Sequence, residues 1–206
     1  MHYTTKNARN RTKVSKNFYL DEFVPKEIHD QFGASSLWFV RKDLIGLAQF
    51  YRDYFQRPIM INNWWNNGPH NERGFRAPWS NVGGKLSQHK LCGAFDCSVG
   101  GMSPNEVRSS ILADPKTFLG KGLTTIEHED YSPTWVHSDM RYTNMEQILI
   151  VKPAPCGVVC SKMELTTSSF NSPPLILDYS IPSPAQDEYF ILEDGELIPV
   201  IFRLFE

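Results

Sequence analysis

The sequence predicts an α+β fold, a small sheet with flanking helices. Three observations carry that prediction. Apolar residues recur at helical spacing over 43–55. A second helix start is marked by the capping box Ser103-Pro104-Asn105-Glu106, with proline at the first helical position. Short apolar runs bounded by turn residues, at 59–62, 94–99, 123–127, 135–141 and 147–151, read as strands. The chain has 206 residues, enough for one cored domain with an appendage.

Taken in order, residues 1–16 are polar and carry Lys6, Arg9, Arg11, Lys13 and Lys16 without periodicity, so they read as a flexible basic arm. No apolar stretch follows the basic residues, which excludes a secretory signal reading. The ordered part is expected over 17–152, opening with Phe18 to Phe23. Asp43 is placed as the cap of a helix running to Phe55, with Leu44, Leu47, Ala48, Tyr51, Tyr54 and Phe55 on one face. Arg57-Pro58 stops it, and 59–62 follows as a buried strand. The loop 62–70 carries Trp64 and Trp65, which either line a cleft or pack beneath the loop. The helix after Ser103 turns Val107, Ile111 and Leu112 inward and ends near Asp114-Pro115. Gly120-Lys121-Gly122 then turns into the strand 123–127. The composition becomes acidic and proline-rich after Pro153, defining an extension over 153–206 with Pro173, Pro174, Pro182 and Pro184 in its linker. Within it, 189–198 reads as a β-hairpin around Asp194-Gly195.

A formal net charge of −2 gives no global field for nucleic acid or an anionic membrane. No run of about 18 apolar residues is present to span a bilayer. Cys92, Cys97, Cys156 and Cys160 lack the paired spacing of a zinc ribbon and read as free thiols, with a Cys156–Cys160 disulfide left open.

The chemistry concentrates in Ser87-Gln88-His89-Lys90-Leu91-Cys92-Gly93-Ala94-Phe95-Asp96 and, about forty residues on, in Trp135-Val136-His137-Ser138-Asp139-Met140-Arg141. Imidazole nitrogen and carboxylate oxygen are zinc ligands, and three protein ligands leave a fourth position open, as catalytic sites do. His89, Asp96 and His137 therefore read as ligands of one Zn2+. A turn must fold His89 back toward Asp96, and Gly93 is placed as the residue that supplies its unusual backbone angle. Strand alternation puts Asp96 on one face with Ala94 and Ser98, and puts His137 with Asp139. Asp139 is a candidate to hold the second nitrogen of a ligating histidine.

The stretch from Arg73 to Asp96 resembles the zinc D-Ala-D-Ala carboxypeptidases and L,D-endopeptidases of peptidase family M15, in particular short phage-encoded members. Ser87, His89, Ala94 and Asp96 match the signature S-x-H-x-x-G-x-A-x-D in register, followed by His137-x-Asp139. Cys92 stands where the signature has glycine, and Gly93 follows one position later. Gly74-Phe75-Arg76 and the glycines before Ser87 are also typical of the family. The resemblance covers residues 18 to 152. It implies a small antiparallel sheet of the hedgehog/DD-peptidase kind and His89, Asp96 and His137 as the metal ligands. It makes Arg76 the cation for a substrate carboxylate or oxyanion, with Ser87 supporting the ligand loop or touching substrate.

Many members carry an acid three positions before the last histidine, where this chain has Thr134. The strand 123–127 delivers Glu127 at its end, as a glutamate is delivered in the related hedgehog signalling domain. Glu127 is thus the first choice for the general base, Asp139 the second and Glu129 the third. The implied function is hydrolysis of a peptide bond in the D-amino-acid-containing stem peptide of peptidoglycan, by a phage lysin or virion-associated wall hydrolase. Such an enzyme is expected in the host cytoplasm before lysis or in the virion, where the arm or the extension contacts other virion proteins. The alternative is a virion structural or binding protein that keeps the zinc fold without turnover.

Overall fold

The computed structural model describes residues 11–143, 145–153, 187–193 and 196–200. The fold is α+β, as expected. Its helices are α1 (Lys26–Phe32), α2 (Lys42–Phe55), α3 (Pro104–Ala113) and α4 (Pro115–Leu119). The strands are β1 (Ile59–Met60), β2 (Ala94–Val99), β3 (Thr125–Glu127), β4 (Val136–Asp139), β5 (Leu149–Pro153), β6 (Asp187–Glu193) and β7 (Glu196–Val200). Among the described residues they form one sheet in the order β1-β2-β4-β3-β5-β6-β7. The sheet is mixed and not purely antiparallel, because β3 and β5 run parallel. The chain returns from the β4 side of β3 to its far edge, and that crossover fixes the direction of β5.

Two strands within the 153–206 extension join the sheet. Strands β6 and β7 pair antiparallel with each other, and β6 pairs with β5. They flank the expected Asp194-Gly195 turn, which lies outside the described residues, as do the proline linker, Cys156 and Cys160. The opposite end of the chain departs from the flexible-arm reading. Residues 1–10 lie outside the described residues, but 11–16 are packed. Arg11 pairs with Asp21 at 2.5 Å and stacks over Trp65 at 3.6 Å from the ring centroid. The Leu20 N–H donates to the Thr12 carbonyl at 2.8 Å. Cation–π stacking and a partly buried ion pair outweigh the low periodicity of this stretch.

The two sheet faces differ in kind. Phe95, Cys97, Val99, Ile126, Val136, Ile148 and Ile150 alternate onto the core face. Helix α2 packs there with Leu44, Leu47, Ala48 and Tyr51. Tyr51 stands at 5.4 Å from the Phe95 ring and 5.5 Å from the Phe118 ring, and its hydroxyl meets Ser138 Oγ at 2.8 Å. Tyr54, expected on the buried face, is 38% exposed because it lies at the end of the stripe. Asp43 does not cap α2: Arg41 holds the cap position, while Asp43 accepts from the Leu44 N–H at 2.9 Å inside the first turn. The Ser103 capping box is present as read. Trp64 settles under its loop, with its indole N–H donating to the Val24 carbonyl at 2.9 Å, whereas Trp65 is 39% exposed. No helix among the described residues is long and apolar enough to cross a membrane.

Arg108 on α3 is buried and carries no sequence signal. Its Nε donates to the Glu127 carbonyl at 2.8 Å, and its Nη2 donates to the Ser132 carbonyl at 2.5 Å and the Trp135 carbonyl at 2.7 Å. One guanidinium thus ties the end of β3 to the loop that enters β4. Arg108→Ala leaves those carbonyls without a donor, and an expected loss of about 3 kcal/mol or more is measurable by urea denaturation.

Candidate metal centre

The polar face of the sheet is assembled by register. Asp96 on β2 lies directly opposite His137 on β4, and Ala94 opposite Asp139. On β3, Thr125 pairs with Asp139. Alternation then brings Glu127, two residues on from Thr125, onto the face and into the row of His137 and Asp96. Asp96 and His137 need no loop to meet.

His89 comes from the turn before β2 and is fixed by main-chain contacts. Its Nδ1–H donates to the Gly74 carbonyl at 2.7 Å, and its own carbonyl accepts from the Arg76 N–H at 3.2 Å. Gly74 must be glycine there, because a Cβ would lie 2.2 Å from the Phe23 carbonyl oxygen. The turn itself corrects the expectation for Gly93. The left-handed residue is Cys92, at φ +59°. Gly93 instead provides closeness: a Cβ on it would stand 3.0 Å from Gln88 Oε1, and its carbonyl accepts from the Met140 N–H at 2.9 Å.

Three side-chain atoms converge. His89 Nε2 lies 3.2 Å from His137 Nδ1 and 3.2 Å from Asp96 Oδ1, and His137 Nδ1 lies 2.8 Å from Asp96 Oδ1. All three residues are buried. Their outer atoms are engaged. The Gly74 carbonyl fixes the proton of His89 on Nδ1 and leaves Nε2 a lone pair. Asp139 Oδ2, 3.1 Å from His137 Nε2, fixes a proton there and turns Nδ1 inward. Asp96 Oδ2 accepts from Arg76 Nη2 at 2.8 Å, which leaves Oδ1 for the centre. Tetrahedral coordination at about 2.0–2.2 Å needs ligand atoms about 3.3–3.6 Å apart. The observed edges need only a slight opening to meet that. This group could hold a metal ion, and its nitrogen and oxygen donors are compatible with zinc.

Charge reinforces the geometry. Burial disfavours a charged imidazole at His137, but Glu127, Asp139 and Asp96 outweigh it and push the pKa up to about 10. Burial dominates at His89 and lowers its value. For Asp96, burial would raise the pKa, yet His89 and His137 hold it far below the usual carboxylate range. Asp139 is likewise lowered, to about 2, by His137 and Arg141 against its burial. The metal-free centre therefore keeps a proton on His137. That proton supports the metal-free fold fully below the ordinary histidine value near 6.5, and its contribution is lost as pH rises through about 10. A metal must displace it.

The remaining site residues separate clearly. Glu127 Oε1 lies 3.9 Å from His137 Nδ1, and its side chain is 18% exposed. Asp139 is fully buried behind His137 and held by Arg141 through Nε at 3.0 Å and Nη2 at 2.6 Å. That is a supporting position and does not suit a base acting on water. Glu129 is on the rim, hydrogen-bonded to Asn105. Thr134 lines a small cavity with Cys97 and Val136, on the other side of the sheet. Arg76 is engaged with Asp96 and, through Nε, with the Glu72 carbonyl at 2.7 Å. Those two contacts orient the Asp96 carboxylate. Ser87 enters through its backbone, its carbonyl accepting from the Lys90 N–H at 2.9 Å. Compared with models of known protein families, with curated proteins and with solved structures, the chain matches none.

Two outcomes are expected. Isothermal titration of zinc into the metal-free protein gives one site per chain, with about one proton released per metal at pH 7 and affinity rising with pH; matched titrations in buffers of different ionisation enthalpy count the proton. Cys92→Gly keeps the metal, whereas Cys92→Val, β-branched at a left-handed position, destabilises by about 1–3 kcal/mol in thermal or urea unfolding.

Proposed function

We propose that this chain is a zinc metallopeptidase that hydrolyses a peptide bond in the D-amino-acid-containing stem peptide of bacterial peptidoglycan. The class is that of peptidase family M15, and the setting is a phage lysin or virion-associated wall hydrolase. One observation carries the reading: a buried three-atom donor triangle has a partly exposed carboxylate, Glu127, beside it and engaged by no hydrogen bond among the described residues. A structural zinc site closes with four protein ligands, and three leave room for substrate and water.

A zinc ion held by His89, Asp96 and His137 supplies Lewis acidity toward a carbonyl oxygen and toward water. The chain's own groups do the rest. Glu127 accepts a proton from the attacking water and returns it to the departing amine. Asp139 and the Gly74 carbonyl keep the two imidazoles in the tautomers that face the centre. Arg76 fixes the Asp96 carboxylate so that one oxygen stays directed inward. The burial of the triangle keeps bulk water from competing for these contacts.

Thr134, standing where many M15 members have an acid, favours the second reading of a binding protein that keeps the site without turnover. A zymogram on purified peptidoglycan separates the two. Clearing that is lost with chelator and restored by zinc is the expected result. Glu127→Gln should keep one zinc per chain and lose about a hundredfold or more of the rate. Undiminished clearing by that variant removes Glu127 from the role, and no clearing by the zinc-loaded natural sequence favours the binding protein.

A further inference from the structure

Among the described residues, no carboxylate stands at contact distance from the Arg73 charge. Its Nη1 donates to Ser98 Oγ at 3.1 Å, and its guanidinium carbon stands 6.0 Å from the Trp135 ring centroid. Arg11, Arg41, Arg76 and Arg141 each pair with an aspartate. Among the described residues no acid lies within ion-pair reach of Arg73, and its Nε and Nη2 make no hydrogen bond. Burial lowers its pKa, the direction expected of a cation short of a partner.

Its place gives that fork a use. Ser98 follows Asp96 by two residues on the same face of β2, and Trp135 precedes His137 by two. Arg73 thus sits one row of side chains, about 7 Å, from the donor triangle. Its carbonyl accepts from the Asp96 N–H at 2.6 Å, which ties it to the ligand strand. Consecutive peptide α-carbons are about 3.8 Å apart. A carboxylate one residue beyond a carbonyl at the triangle, plus one charge-assisted hydrogen bond of about 2.8 Å, spans that row.

We propose that Arg73 is the docking point for a free carboxylate on the substrate residue that leaves, next to the reacting carbonyl. The inference rests on the peptidase reading above and assigns to Arg73 a carboxylate contact in addition to the role of Arg76, whose Nε and Nη2 hold the Glu72 carbonyl and Asp96. Ser98 and the Trp135 ring orient the fork, and Nε with Nη2 forms an edge suited to two parallel hydrogen bonds. The carboxylate is either the chain terminus or an acidic group on that residue.

The test uses the full-length, zinc-loaded chain carrying Glu127→Gln to prevent turnover, with binding read by calorimetry. The probes are N-acetyl-D-alanyl-D-alanine, its C-terminal amide, and the amide in which the last residue is D-glutamate. The free acid should bind about tenfold more tightly than the alanine amide. Adding Arg73→Gln should bring the two to parity with zinc content unchanged. Ser98→Ala, which frees the fork without removing it, should reduce the preference by a smaller factor, and this variant carries the test if Arg73→Gln does not fold. Recovery of binding by the glutamate amide identifies a side-chain carboxylate as the natural source; binding by the free acid alone identifies the terminus. Equal binding of acid and alanine amide before Arg73 is changed overturns the proposal. So does a preference that survives Arg73→Gln, or one that Ser98→Ala leaves untouched. Failure of the peptidase reading appears elsewhere, as absent wall hydrolysis by the natural sequence alongside an intact acid preference.

Discussion

The direct pairing of Asp96 with His137 across β2 and β4 is the constraint on which the centre depends. Opposed residues on antiparallel strands share a face, with β-carbons about 4.5–5.5 Å apart. A carboxylate is therefore pressed against an imidazole by backbone register alone. Burying that carboxylate is costly unless positive charge accompanies it. The neighbouring groups follow from this requirement. Arg76 takes the outer oxygen of Asp96, and Asp139 takes the outer nitrogen of His137. Asp139 is a second buried acid, and Arg141 balances it. On the reverse side of β4, Tyr51 holds Ser138, so the strand between the two site residues cannot slide without breaking a buried contact.

His89 has no strand to place it, and the segment 73–76 does that work. In four residues it accepts the Asp96 N–H through Arg73, accepts the His89 ring proton through Gly74, donates from Phe75 to Phe23, and donates from Arg76 to the His89 carbonyl. Phe75 stacks on Phe39 at 5.5 Å, which anchors the segment to the N-terminal layer. The Gly-Phe-Arg pattern thus has a separate physical reason at each position: close backbone approach, an aromatic anchor, and a clamp on the Asp96 carboxylate. The left-handed Cys92 shows the same economy. The turn needs that conformation two residues before β2, and the chain adopts it without a glycine. Cysteine is tolerated because its side chain packs against the core and is not branched at Cβ.

Much of this was legible in the sequence, for identifiable reasons. Alternation on β2 and β4 is a property of spacing alone, so Asp96 with Ser98 and His137 with Asp139 could be placed on their faces before any register was known. The Ser103 capping box is a local signal with one geometric solution. Other features depend on who meets whom across the fold, which spacing does not encode. The parallel β3–β5 pair arises from a crossover. The role of Arg76 turned on whether its fork found a carboxylate inside the protein, and it found Asp96. Arg108 is indistinguishable in sequence from a surface helix arginine, yet it gathers three carbonyls from the end of β3 and the loop after it, 19 to 27 residues away along the chain. Residues 11–16 lack periodicity because an ion pair and stacked rings hold them, and neither leaves a repeating pattern.

The arginines of the polar face divide the labour by what each already touches. Arg76 and Arg141 are occupied by buried aspartates, so moving either would expose an uncompensated charge beside the donor triangle. Their positions are therefore fixed, and they make the centre rigid rather than receptive. Among the described residues Glu127 keeps a 3.9 Å ion pair with His137 and Arg73 has no carboxylate partner, and the two differ in sign and in direction. Glu127 stands in the row of His137, on the β3 side. Arg73 stands one row further along β2. A peptide whose carbonyl lies at the triangle can present its departing nitrogen to the carboxylate and the carboxylate that follows to the guanidinium. On the proposed reading, only one polarity of a bound peptide satisfies both contacts, so its direction across the sheet would follow from Glu127 and Arg73.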